Sequence, residues 1–67
     1  MTLWQFRSNL KRLSSRLIIV DSEGHEVFNN NLGIYVHWIK KDIYDSRTID
    51  YIYVEDDNLY IINPPNK

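Results

Sequence analysis

The sequence has no cysteine and no alanine, and its 67 residues include only two glycines and two prolines. Without cysteine no disulfide can form, and the isolated His25 and His37 do not provide the three or four ligands of a zinc site. No apolar run approaches the roughly 20 residues of a membrane-spanning helix, and no signal-peptide pattern follows Met1. We therefore expect a cytoplasmic protein without a membrane segment, a metal or a cofactor.

The shortness of the chain limits it to one domain, which we place at residues 1–63, with residues 64–67 as a flexible tail. A single core of this size rarely supplies more than about 3–5 kcal/mol of stability. Because a homo-oligomer would bury further apolar surface, self-association is expected.

Charge is unevenly distributed along the chain, although the net charge is only −1. Residues 1–20 hold four basic residues and no acidic residue, whereas residues 21–67 hold nine acidic and four basic residues. The four basic residues of the first part are Arg7, Lys11, Arg12 and Arg16. Such a segment is typical of a solvated helix face, and it also supports an alternative function, nucleic-acid binding.

Residues 49–62 carry the clearest structural pattern, that of a β-hairpin. Two runs rich in Ile, Tyr and Val, at residues 49–54 and 59–62, flank an acidic cluster of turn-forming residues. With a two-residue loop the strands separate into two faces. These faces are Ile52, Val54, Leu59 and Ile61 on one side, and Tyr51, Tyr53, Tyr60 and Ile62 on the other. We expect the aliphatic face to be core, and the tyrosine-bearing face to be either covered by a helix or a contact surface.

The first 20 residues predict a helix followed by a strand. Thr2 and Gln5 have the spacing of a capping box, and an apolar stripe follows at Leu3, Phe6, Leu10 and Leu13, with the helix ending at Ser14 and Ser15. The apolar run 17–20 predicts a central strand covered on both sides.

A second hairpin follows from the turn residues 21–24. Gly24 in the left-handed conformation would pair Asp21 with His25, Ile19 with Val27 and Ile18 with Phe28. Residues 32–44 then predict a helix capped by Asn30 or Asn31, with a stripe at Leu32, Tyr35 or Val36, Ile39 and Ile43, although a strand over residues 34–39 is an alternative. The predicted fold is α+β, helix–hairpin–helix–hairpin, with a four-stranded, mainly antiparallel sheet and helices on its aliphatic side.

The predicted order of elements resembles that of a known group of proteins. Together with three stretches of the sequence, it resembles small accessory proteins of phages and mobile elements of low-GC Gram-positive bacteria. These stretches are the turn 21–24, the run 45–52 and the acidic turn 55–57. The resemblance implies a small, non-enzymatic interaction protein of host-interfering or housekeeping type.

Candidate functional residues are aromatic and acidic rather than catalytic. Asp21 and His25 lie at a solvated turn without a pocket or an orienting third group, and no nucleophile or phosphate-binding loop stands in a recognisable setting, so an enzyme is not expected. We predict a protein-interaction module, because exposed aromatic residues are enriched at interfaces. The predicted contact residues are Trp4, Trp38, Tyr51, Tyr53, Tyr60, Glu55, Asp56 and Asp57, the acidic ones as a mimic of a negatively charged partner surface. A structural subunit of a larger assembly is a further alternative.

Overall fold

The structure, a computed structural model, describes residues 1–56 and 58–63. Its elements in chain order are α1 (Leu3–Arg7), β1 (Arg16–Val20), β2 (Glu26–Asn31), α2 (Leu32–Tyr35), α3 (Lys41–Asp45), β3 (Tyr51–Asp56) and β4 (Leu59–Asn63). The strands form one sheet in the order β2-β1-β4-β3. Both hairpins are antiparallel, whereas β1 and β4 are parallel at the centre. The α+β class and the mainly antiparallel sheet are confirmed, and the predicted 64–67 tail lies outside the described residues.

Helix α1 begins as predicted but ends early. The Gln5 N–H donates to Thr2 Oγ1 at 3.2 Å and the Thr2 N–H donates to Gln5 Oε1 at 2.9 Å, which completes the capping box. The helix ends at Arg7 because the side chains of Ser8 and Asn9 both donate to the Gln5 carbonyl oxygen at 3.0 Å, the acceptor that a continuing helix would use. The predicted continuation to residue 13 is therefore wrong, and Leu13 is 64% exposed.

The first hairpin contains a β-bulge that shifts its pairing. Gly24 has φ +89° and the Asp21 N–H donates to the His25 carbonyl oxygen at 2.8 Å, so the predicted turn is confirmed. Beyond the turn, however, Ile19 pairs with Phe28 rather than with Val27. The extra residue at the bulge places Phe28, which is 8% exposed, on the buried face beside Ile19.

The second hairpin has the same irregularity with a larger consequence. Asp56 pairs with Leu59, but after a register shift Val54 pairs with Tyr60 and Tyr53 with Ile61. Because a one-residue slip moves a side chain to the other face, the predicted faces are wrong. The face with Ile52 and Val54 also carries Tyr60 and Ile62, and the face with Tyr51 and Tyr53 also carries Ile61.

The segment 32–44 is helical at both ends and interrupted between them. Asn31 caps α2, its Oδ1 accepting from the Ile34 N–H at 2.9 Å, so the predicted cap is confirmed. The interruption follows from Trp38, whose ring lies 4.8 Å from Phe28 and 5.2 Å from Tyr44, a packing that a continuous helix does not provide. Ile39 is therefore 92% exposed, and the predicted single stripe is wrong.

The core lies on one side of the sheet. Leu17 and Ile19 of β1 and Ile62 of β4 pack there with residues from β2, the helices and the loops. The latter are Leu3, Phe28, Leu32, Tyr35 and Ile49. Strand β1 is central as predicted, but the expectation of cover on both sides is wrong, because Leu17 and Ile19 are fully buried whereas Ile18 and Val20, on the other side, are only half-buried.

Candidate functional site

The side of the sheet away from the core carries a contiguous apolar surface, which we call the tyrosine face (Ile18, Tyr51, Tyr53 and Ile61). The strand register places Ile18 beside Ile61 and Ile61 beside Tyr53 in one row across three strands. Tyr51 and Tyr53 are 62% and 55% exposed, so no described element packs over them. All four side chains are neutral, and an exposed aromatic surface of this kind commonly marks an interaction site.

Polar side chains border the tyrosine face toward β2. The Arg16 Nε donates to Asn29 Oδ1 at 2.8 Å, and the Asn29 Nδ2 donates to Glu26 Oε1 at 3.1 Å. On the opposite side lies β3, which among the described residues pairs with β4 alone and so forms an edge of the sheet. The apolar surface therefore ends at a polar border on one side and at a strand edge on the other.

The predicted contact residues do not lie together. Tyr60 is on the core side, where its ring meets Phe6 at 5.4 Å edge to face, so its assignment to the surface of Tyr51 and Tyr53 is wrong. Trp38 is half-buried among Phe28, Tyr35 and Tyr44. Trp4 is 53% exposed on α1, and Glu55 and Asp56 are exposed at the end of β3. Asp57 lies outside the described residues.

The structure also contains a buried ion pair that the sequence pattern did not reveal. Arg7 donates through Nε and Nη2 to the two carboxylate oxygens of Asp45, each at 2.8 Å, and the Tyr35 hydroxyl donates to Asp45 Oδ1 at 2.9 Å. The side chains of Arg7 and Asp45 are only 14% and 10% exposed. Because Arg7 lies in α1, Tyr35 in α2 and Asp45 in α3, this Arg7–Asp45–Tyr35 cluster joins all three helices.

Ionisation in this cluster follows from its contacts. Burial tends to raise the pKa of Asp45, but the hydrogen bonds from Arg7 and Tyr35, together with the charges of Arg7 and Lys41, outweigh burial and lower it below its ordinary value. The hydrogen bond to Asp45 raises the pKa of Arg7. Burial, followed by the neighbouring carboxylate, raises the pKa of Tyr35. The cluster is therefore a charged pair with a neutral phenol at neutral pH, and its contacts serve to hold the helices together.

The four basic residues of the nucleic-acid alternative have different environments. Arg7 is paired with Asp45, and Arg16 is bonded to Asn29 beside the tyrosine face. Lys11 and Arg12 instead line an open cleft on the core side of the sheet, next to Tyr60. Arg7 is therefore not available to bind nucleic acid. The other three basic residues do not lie together on the one helix face that the nucleic-acid alternative assumed.

The hairpin turn at residues 21–25 carries acidic groups near His25. The His25 Nδ1 lies 3.7 Å from Asp21 Oδ2 and 3.6 Å from Glu23 Oε1. The backbone N–H of His25, with that of Glu23, lowers the pKa of Asp21 by hydrogen bonding to its carboxylate. Within residues 1–56 and 58–63, no group of three or more His, Cys, Asp or Glu side chains is arranged to hold a metal ion.

No protein-family model, no curated protein and no solved structure matches this chain. Over the part of the chain that the structure describes, no helix has the length and apolar character needed to cross a membrane.

Proposed function

We propose that the protein is a non-catalytic interaction module that forms a homodimer through the tyrosine face. The exposure of Tyr51 and Tyr53 beside the aliphatic Ile18 and Ile61 is the observation that supports this function. Removing such side chains from water is favourable in proportion to the apolar area buried. The resemblance to phage accessory proteins adds the proposal that the module also acts on a host protein, with Glu55 and Asp56 as an acidic contact.

A second copy of the chain fits this surface better than a charged partner does. The four side chains of the face are neutral, so it offers no charge complementarity to a strongly acidic or basic surface, whereas two identical apolar faces complement each other about a twofold axis. Each tyrosine presents about 100–150 Å² at its exposed fraction. With the partly exposed Ile18 and Ile61 the face offers on the order of 350 Å² per copy, which is at the low end of the sizes found for weak, reversible interfaces.

The geometry of the proposed dimer follows from its sheets. Two sheets that pack face to face lie about 10 Å apart, with interdigitating side chains between them. Tyr51 and Tyr53 of each copy would then contact the aromatic and aliphatic residues of the other, and the helices of both copies would lie on the outside. Such an arrangement supplies the second covering layer that the tyrosine face lacks within one chain.

The test is the mass in solution across a dilution series, measured by sedimentation equilibrium, for wild type, Tyr53→Ala and Trp4→Ala. Trp4→Ala is the matched control, because Trp4 is an aromatic residue of similar exposure that lies on α1 rather than on the sheet. Losing about 2 kcal/mol per tyrosine, with two substituted tyrosines per dimer, should weaken the dimer by close to a thousandfold.

Circular dichroism first checks that both variants are folded, so that a change in mass reports on dimerisation alone. We expect wild type and Trp4→Ala to dimerise and Tyr53→Ala to be monomeric at the same concentration. A wild-type protein that is monomeric throughout the series contradicts the proposal, and so does a Tyr53→Ala variant that dimerises as well as wild type.

A further inference from the structure

A cleft beside α1 lies apart from the tyrosine face, on the core side of the sheet. It has a volume of about 380 Å³ and is lined by the connection after α1 and by residues at the start of β4. The connection contributes Asn9, Leu10, Lys11 and Arg12, and the strand side contributes Asn58 and Tyr60. The volume falls within the roughly 300–1,000 Å³ that is usual for small-molecule sites.

The floor of the cleft is held in place by hydrogen bonds. Ser15, which is only 4% exposed, donates through its hydroxyl to Asn58 Oδ1 at 3.0 Å. The Asn58 carbonyl oxygen accepts from the Arg16 N–H at 2.8 Å, and the Ser15 carbonyl oxygen accepts from the Leu32 N–H at 2.7 Å. These contacts tie the floor to β1 and α2, so the cleft is formed before any ligand arrives.

The positive charge of the first 20 residues is concentrated at this cleft. Of the four cations, Arg7 is neutralised by Asp45, and Arg16 is bonded to Asn29 beside the tyrosine face. Lys11 and Arg12 remain, and neither forms an ion pair with any residue that the structure describes. Two adjacent cations on one wall provide the charge and the donors that a phosphate dianion requires.

From this combination we propose that the cleft binds a nucleoside monophosphate. Lys11 and Arg12 bind the phosphate. Leu10 and the ring of Tyr60 provide an apolar wall for a base, since bases stack on or pack against aromatic side chains in many nucleotide sites. The side-chain amide of Asn58, held by Ser15, lies in the same lining and supplies polar contacts to the base edge.

The experiment is a titration of the full chain followed by amide chemical shifts, with four probes: adenosine monophosphate, cytidine monophosphate, inorganic phosphate and adenosine. We expect the monophosphates to shift the amides of residues 9–12, 15 and 58–60 in a saturable way. Inorganic phosphate should bind at the same residues more weakly, and adenosine more weakly again. Binding should persist in Tyr53→Ala, which separates this proposal from the proposed dimer.

Matched lysine variants test the role of charge. Lys11→Gln and Lys40→Gln each remove one charge from an exposed lysine, but only Lys11 lines the cleft. Loss of a charge-assisted contact should weaken monophosphate binding about tenfold in Lys11→Gln and leave Lys40→Gln unchanged.

Three results would overturn the proposal. The first is the absence of saturable shifts up to millimolar monophosphate, and the second is an equal weakening in Lys40→Gln. The third concerns a 5′-phosphorylated oligonucleotide added as a further probe. If it binds far more tightly than the monophosphates, and its affinity falls steeply with salt, then the cations recognise a nucleic-acid backbone rather than a small nucleotide.

Discussion

Replacing Asp45 by asparagine should destabilise the protein more than any change of equal size on its surface. The substitution keeps the shape of the side chain but removes the charge that compensates Arg7, whose side chain is only 14% exposed. It also weakens two hydrogen bonds from Arg7 and one from Tyr35. Breaking a buried pair by removing one partner costs about 3–5 kcal/mol. The lower end, about 3 kcal/mol, applies here because both side chains keep some contact with water.

A loss of that size is comparable with the whole stability of a chain this short, which is roughly 3–5 kcal/mol. The measurement is urea denaturation followed by circular dichroism, with a stabilising osmolyte present so that the variant retains a folded baseline. Asp42→Asn is the matched control. Asp42 lies in the same helix and bonds Lys41 at 2.9 Å, but its side chain is 91% exposed, so its loss should cost less than about 1 kcal/mol.

The double variant with Arg7→Met shows whether the two side chains act as a pair. If the cost arises from a buried unpaired charge, the double variant should be clearly more stable than the sum of the two single losses predicts. A structural role of the buried pair is contradicted if Asp45→Asn costs no more stability than Asp42→Asn, or if the losses of Asp45→Asn and Arg7→Met simply add.

Four further predictions concern the pH dependence of stability, the Gly24 turn and the ring contacts of Trp38. The pKa of Asp45 is lowered in the folded state, so ionised Asp45 contributes its full stability above the ordinary pKa near 3.9, and this contribution is lost as the pH falls further. The difference in stability between wild type and Asp45→Asn, measured by denaturation curves, should therefore shrink below about pH 4. The pKa of Tyr35 is raised, so its contribution is full below about pH 10 and is lost above it, and Tyr35→Phe should show less alkaline destabilisation than wild type. Gly24→Ala should cost about 1 kcal/mol of stability, and this cost arises from the φ of +89° alone, because no atom lies within 4 Å of an added Cβ. Gly24→Asn should cost less, because asparagine adopts the left-handed conformation more readily than alanine. Equal costs of the two variants in urea denaturation would contradict this. Trp38→Ala should lower stability by about 2–3 kcal/mol, because Trp38 contacts three rings. Trp4→Ala should cost less than about 1 kcal/mol, because Trp4 is 53% exposed. Comparable melting temperatures for the two variants would contradict the assignment of Trp38 to the packed interior.

Local chemistry was predictable from the sequence where neighbouring residues suffice to define it. The Thr2–Gln5 capping box, the Gly24 turn and the Asn31 cap each involve groups within four residues of one another, and all three are present. The four strands were predictable as well, because their β-branched and aromatic residues form runs of strand length.

Helix length was less predictable, because competing contacts decide it. The apolar stripe of residues 3–13 suggested three turns, but the side chains of Ser8 and Asn9 take the acceptor that would extend α1. In the middle segment, Trp38 packs against Phe28, ten residues earlier in the chain and in another element. The periodicity of apolar residues contains no information about either of these competing contacts.

The class of the fold, the Gly24 turn, the helix caps and the presence of tyrosines on β3 were predictable, because these depend on residue type and short-range spacing. Which side chains share a face depends instead on the three-dimensional packing of the chain. One bulge in each hairpin reverses the alternation of side chains, so Tyr60 joins the core while Tyr51 and Tyr53 stay exposed. The same packing pairs Arg7 with Asp45, 38 residues away, and thereby leaves Lys11 and Arg12 as the cations of the cleft. Such contacts depend on the packing of distant segments, which no local pattern encodes.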